Sequence, residues 1–178
     1  MVDYEAHTEL RSVDRQAMHP SLLALYDYWA GLASGGSLPV WGGAAGSGFR
    51  LVDIPPAVLP IMTIVEVGPE DGDFVYRYWG TDRNVFQGTR PDPTGRPVLT
   101  GVIQANAANV LQQYKDVYAD GKPHLFSNSY QLPSGISAEC QTLRLPLSKG
   151  GPGVGMIAAA SIFLDHAEEF KKLRQGMV

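Results

Sequence analysis

The chain has 178 residues, 44% hydrophobic and 18% charged, which predicts one domain with a sizeable core and excludes a disordered chain. Fourteen Lys and Arg against 18 Asp and Glu give a net charge of −4, with no basic surplus to hold a phosphate backbone, so nucleic-acid binding is not expected. A single cysteine excludes an internal disulfide and a cysteine-built zinc site and fits a cytoplasmic setting; no run nears the ~18 apolar residues of a membrane span, and Met1 to Ser12 does not read as a leader.

Residues 1–18 are polar, mixed in charge and aperiodic, and read as a flexible arm or a short irregular helix. A helix is expected over 20–33, because Pro20 suits a first turn and Leu22, Leu25, Tyr26, Trp29, Leu32 and Ala33 share one stripe. Ser34-Gly35-Gly36 ends it. The stretch from Gly42 to Gly48 lacks the Gly-Lys-Ser/Thr of a phosphate loop and reads as a plain linker.

An apolar run over 59–67 and an alternating run over 73–80 predict two strands, joined by a turn at Pro69 to Asp73 into a hairpin. Alternation places Phe74, Tyr76 and Tyr78 on one face, with Val75, Arg77 and Trp79 on the other. Asp82 to Gln87 reads as one or two helical turns ended by Gly88, and Arg90 to Pro97 as irregular. A long helix is expected over 101–119, with Thr100 as N-cap and Gly121 closing it. Ile103, Ala107, Val110, Leu111, Tyr114, Val117 and Tyr118 form its apolar face, and Gln104, Gln112, Gln113, Lys115 and Asp116 point away. Strands over 123–131, 137–148 and 153–164 follow, separated by turns at Leu132 to Gly135 and Ser148 to Gly153. Residues 166–178 read as a charged, helical tail. The order predicts a single α+β domain over 19–165: a five-stranded antiparallel sheet, crossover helices on one face and an extra N-terminal helix.

That order resembles the PAS arrangement. The supporting stretches are Leu25-Tyr26-Asp27-Tyr28-Trp29, Leu38-Pro39, Asp53-Ile54-Pro55, Phe74-Val75-Tyr76-Arg77-Tyr78-Trp79-Gly80-Thr81, Asp92-Pro93-Thr94-Gly95-Arg96 and Leu145-Pro146-Leu147-Ser148. Together they resemble a bacterial family of short, single-domain PAS-like proteins, catalogued as a domain of unknown function. The resemblance implies a PAS fold, use in signalling or small-molecule sensing, and no established enzymatic activity.

The chemistry-bearing residues agree with a non-catalytic reading. His7, His19, His124 and His166 are not at ligand spacing, so no metal is expected. Haem-binding PAS domains usually carry the axial histidine on the long crossover helix, which here has none; His124 follows it at a strand start. Light-sensing PAS relatives carry a reactive cysteine in a short helix before that long helix, whereas Cys140 lies in a late strand and reads as a small buried side chain. Ser127, Ser129 and Ser161 have no nucleophile-elbow context, and no cofactor is expected.

What remains is the space between sheet and long helix. Tyr76, Tyr78 and Tyr114 suit a flat, partly polar ligand, and Arg83 an anionic group; Arg77 and Arg144 are further anion candidates. The plainer alternative is tyrosine in a core and arginine at the surface. The stripe of Leu22, Leu25, Tyr26 and Trp29 either folds back on its own sheet or pairs two chains; the homodimer is the favoured expectation. The function expected is a sensory or protein-interaction module that may bind a small molecule and signals in trans to a protein partner. The alternative is a small α+β pocket enzyme of hydratase or isomerase type, built on a buried Asp–His or Tyr–Asp pair.

Overall fold

A computed structural model describes residues 5–11, 13–33, 35–68, 73–86, 91–101, 104–131, 135 and 137–174. Ser34, most of the turn at 69–73, Gln87, Gly88 and Arg90, Ile103 and the turn residues 132–134 lie outside the described residues, as does the Gln104 side chain.

The first difference from expectation lies at the N-terminus. Glu5–Arg11 is not an arm but a strand, β1. The signal was hidden because β1 is an edge strand with little to bury; its Leu10 is exposed. Helix α1 (Pro20–Leu32) begins as expected, with Pro20 in the first turn and the His19 Nδ1 accepting the Ser21 N–H at 3.2 Å. Two short strands, β2 (Val40–Trp41) and β3 (Gly48–Phe49), then pair in parallel, so the glycine-rich segment is a built clip rather than a plain linker. A Cβ on Gly48 would lie 2.3 Å from the Gly43 Cα, an approach that only glycine permits.

The hairpin is β4 (Met62–Val67) and β5 (Phe74–Trp79); Leu59–Ile61, expected as strand, is a 3-10 turn begun by Pro60. A second 3-10 turn spans Thr81–Phe86, then come α2 (Val98–Gly101) and the long α3 (Gln104–Asp120), where Gly121 at φ 64° donates its N–H to Val117 O. Strands β6 (His124–Gln131), β7 (Ser137–Leu147) and β8 (Met156–Phe163) lead into α4 (Ala167–Arg174).

The main sheet has six strands in the order β1-β6-β7-β8-β4-β5. Every neighbouring pair is antiparallel. The fold is α+β and PAS-like: the five expected strands are present with a helical crossover between the hairpin and the three-stranded meander, and β1 adds a sixth on the β6 edge.

Each face of the sheet has its own apolar layer. On one, α1 buries Leu22, Leu25 and Trp29 against Ile64, Leu143, Leu145 and Ala158, and the Trp29 Nε1–H donates to Pro146 O at 2.8 Å. Of the two arrangements open to α1, the structure shows the folded-back one. Leu22 and Leu25 have no exposed surface and Trp29 only 8%, so these side chains are already spent within the chain; Tyr26 is half-buried. On the other face, α3 buries Ala107, Tyr114 and Val117 against Val65, Phe74, Tyr76, Trp79 and Ile157.

Candidate functional site

The face under α3 is shaped by an irregularity in the hairpin. Val65 pairs with Tyr76 but Ile64 pairs with Tyr78, so Arg77 is an extra residue and β5 carries a bulge. The bulge reverses the alternation expected for β5. Tyr76 stays under α3, and Trp79 joins it with ring centroids 5.2 Å apart and nearly perpendicular planes. Tyr78 turns to the α1 face, where its hydroxyl donates to Leu59 O at 3.0 Å. Tyr76 and Tyr78 are therefore not on one face, and Tyr78 does not reach the groups around Tyr114.

From α3, Tyr114 enters the same layer. Its hydroxyl shares a hydrogen bond with Thr63 Oγ1 at 3.1 Å, and its ring stacks on Phe74. The 3-10 turn after β5 delivers Arg83. Gly80 makes that turn possible, because a Cβ there would lie 2.3 Å from Pro60 O. Arg83 Nε and Nη1 are sealed from solvent, and its Cζ lies 5.1 Å from the Trp79 ring centroid. Desolvation pushes the Arg83 pKa down, the nearby Tyr114, Tyr76 and Cys140 oppose that shift, and Arg144 adds to it.

Arg144 on β7 is a second buried guanidinium, 3% exposed, with Cζ 3.8 Å from the Tyr114 ring centroid. Its Nε and Nη2 both donate to Gln113 Oε1, at 3.1 and 2.7 Å. Gln113 Nε2 in turn donates to Asn128 Oδ1, and Asn128 Nδ2 donates to Thr142 Oγ1, which is bonded to Ser161 Oγ. Thr8 on β1 also donates to Asn128 Oδ1, which ties the edge strand into this network.

Sequence reasoning missed most of this chain of polar groups. Gln113 was expected to face water but is buried. Arg144, whose plainer reading is a surface charge, is buried. The available signal was the period of β7: Leu143, Leu145 and Leu147 pack under α1, so Cys140, Thr142 and Arg144 must face α3. Of the other anion candidates, Arg83 lies over the Trp79 ring, whereas Arg77 is exposed and paired with Glu66.

Burial raises the Tyr76 hydroxyl well above its ordinary value and pushes the Cys140 thiol up to about 12, so both stay protonated at neutral pH. His124 Nε2 is 2.8 Å from Asp120 Oδ2 at the C-terminal end of α3. Burial alone would raise Asp120, but hydrogen bonds from His124 and the Lys122 N–H outweigh it and hold the carboxyl below its usual range. Among the described residues, no three His, Cys, Asp or Glu side chains form a group able to hold a metal ion. Among the same residues, no helix is long and apolar enough to cross a membrane.

No family model matches the chain, and no curated protein matches it. Among solved structures, it is similar to a light-oxygen-voltage domain studied with a flavin analogue, at 14% identity and TM-score 0.42, covering 66% of this chain and 87% of that one. It is also similar to an RNA-binding light-oxygen-voltage receptor, at 17% identity and TM-score 0.41, covering 78% of this chain and 40% of that one. Neither similarity carries weight for ligand or function.

Proposed function

We propose that the chain is a cytoplasmic, non-catalytic PAS-like sensory or interaction module, of the bacterial single-domain kind that its sequence resembles. It binds a small molecule between the sheet and α3 and passes its state to a protein partner in trans. The observation that supports this most is the convergence of Tyr76, Trp79, Tyr114 and Arg83 on one face, from β5, α3 and the turn between them. A change at Arg83 or Tyr114 acts directly on the crossover segments, which gives a ligand leverage over surface shape.

The enzyme alternative needs an acid–base pair inside the layer. Among the described residues, the Asp–His pair within hydrogen-bond distance, Asp120 and His124, lies at the end of α3 with the Asp120 side chain 42% exposed, which favours the non-catalytic reading. The homodimer belongs to this proposal through surfaces other than Leu22, Leu25 and Trp29, and light scattering at the monomer mass removes it.

Native mass spectrometry tests the ligand. The purified wild-type chain is expected to retain a small molecule that Tyr114→Ala loses. Bare chain mass in the wild type, with a thermal midpoint unmoved by any compound of a metabolite panel, overturns the reading.

A further inference from the structure

The C-terminal end of α3 opens onto a cleft of about 640 Å³, flanked by the β7–β8 turn at 150–153 and by residues 36–40. That volume falls in the range of small-molecule sites. Leu38, Val40, Tyr118, Ser148 and Val154 are among its walls. Val40 and Tyr118 are 36% and 41% exposed, so two large apolar side chains lining the cleft remain open to water. The Tyr118 ring is held in place by an edge contact with Phe74, with centroids 6.1 Å apart and planes at 84°.

The polar side of the cleft has one sign. Among the described residues that line it, Asp120 carries the only charged side chain. Its Oδ1 accepts the Lys122 N–H at 2.9 Å and its Oδ2 lies 2.8 Å from His124 Nε2, so the carboxylate is fixed, and it has lone pairs for further donors. Desolvation works against its charge, but those two hydrogen bonds outweigh it and keep Asp120 an anion at neutral pH. The helix backbone adds to the same sign. The Lys122 N–H, which would continue the helix to Tyr118 O, is turned onto Asp120 instead. The residue placed to bond Ala119 O is Pro123, which has no N–H. Both carbonyls belong to residues that line the cleft, and both lie at the negative end of the α3 dipole. Of the lysines that flank these segments, Lys149 is committed to Glu66, and Lys122 acts on Asp120 from an exposed position where water screens it.

We propose that this cleft is a second ligand site, for a small organic ammonium: a primary amine whose N–H groups meet the Asp120 carboxylate and the carbonyl end of α3, on an aromatic body that packs against Tyr118, Val40 and Val154. The Tyr118 ring adds its own attraction for the cation. The site is separate from the layer between the sheet and α3, so it stands or falls independently of the ligand proposed there.

The test is titration of the ¹⁵N-labelled full chain at low salt with 2-phenylethylamine and tryptamine, set against 2-phenylethanol and tryptophol, which keep the ring and lose the charge. At least one amine is expected to bind saturably and about tenfold or more tighter than its alcohol, since a hydrogen bond to a charged group is worth roughly one to two decades of affinity. The amine is expected to move the backbone amide signals of Tyr118, Gly121, Gly150 and Gly153. Asp120→Asn keeps the size of the side chain and an acceptor for the Lys122 N–H, so it should weaken the amine about tenfold and leave the alcohol unchanged. Tyr118→Ala should weaken both. Thermal midpoints report whether the variants fold, and if either does not, the ratio of amine to alcohol on the wild-type chain decides. Equal affinity for amine and alcohol overturns the cation site. Amine binding that moves other amides but not these four also overturns it, as does the absence of saturable binding by either amine.

Discussion

Two tyrosines separated by one residue on β5 do different work, and the bulge at Arg77 is the cause. The Tyr114 hydroxyl, which meets Thr63 in the layer under α3, has no water to replace its partner. Tyr114→Phe leaves the buried Thr63 hydroxyl short of its partner and should cost about 1–3 kcal/mol in urea unfolding. The Tyr78 hydroxyl bonds Leu59 O from a half-exposed position, so Tyr78→Phe should cost less than about 1 kcal/mol. Tyr78→Ala should weaken the hairpin without touching ligand affinity, which Tyr114→Ala abolishes. A ligand affinity that fell equally in both alanine variants would contradict the division of β5 between two faces.

At the scale of elements, α1 is an integral layer of the domain. Its Leu25 touches the central strands, so Leu25→Ala should destabilise by about 2–5 kcal/mol, as a core truncation does. Leu25→Asp should unfold the chain, read as loss of the near-ultraviolet circular dichroism band, instead of yielding the folded monomer expected of an interface mutation. The 3-10 turn carrying Arg83 depends in the same way on Gly80: a methyl there meets the Pro60 and Leu59 carbonyl oxygens at 2.3 and 2.5 Å. Gly80→Ala should therefore displace the turn and weaken binding even though the methyl touches no ligand. Long periodic elements were legible in the sequence. Helix α1 and helix α3 each bury a stripe, and the three late strands are bounded by glycine-rich turns, so their periods stand out. The sheet edge and the site were less so. Edge strand β1 buries little and so leaves no alternation to read, and the β5 bulge shifts the register without any marker in composition. Gln113 reads as surface because its burial depends on a partner, Arg144, that lies 31 residues away in sequence.

Across the whole molecule, Glu66 joins parts of the sheet that are far apart in the chain. It sits on β4 and accepts from Arg77 Nε of β5 at 2.5 Å and from Lys149 Nζ in the β7–β8 turn. The hydrogen bonds from Lys149 and Arg77 hold its carboxyl below the ordinary value of 4.5 in spite of some desolvation. A carboxyl depressed by folding stabilises the native state above its unfolded pKa, and that stabilisation is lost as pH falls through the folded value. Both cations are half exposed, so solvent screening keeps the cluster to the order of 1 kcal/mol. The stabilisation should be present at neutral pH and decline below about pH 4.5, and high salt should reduce it. Glu66→Gln removes the charge without changing the shape. Urea midpoints of wild type and Glu66→Gln should differ at pH 7 in low salt and converge near pH 3, with the gap narrowing in 1 M salt because the screening length falls to about 3 Å. A gap that stayed constant from pH 7 to pH 3 would mean that Glu66 acts through packing, and the carboxylate would then not be what ties β4, β5 and the β7–β8 turn together.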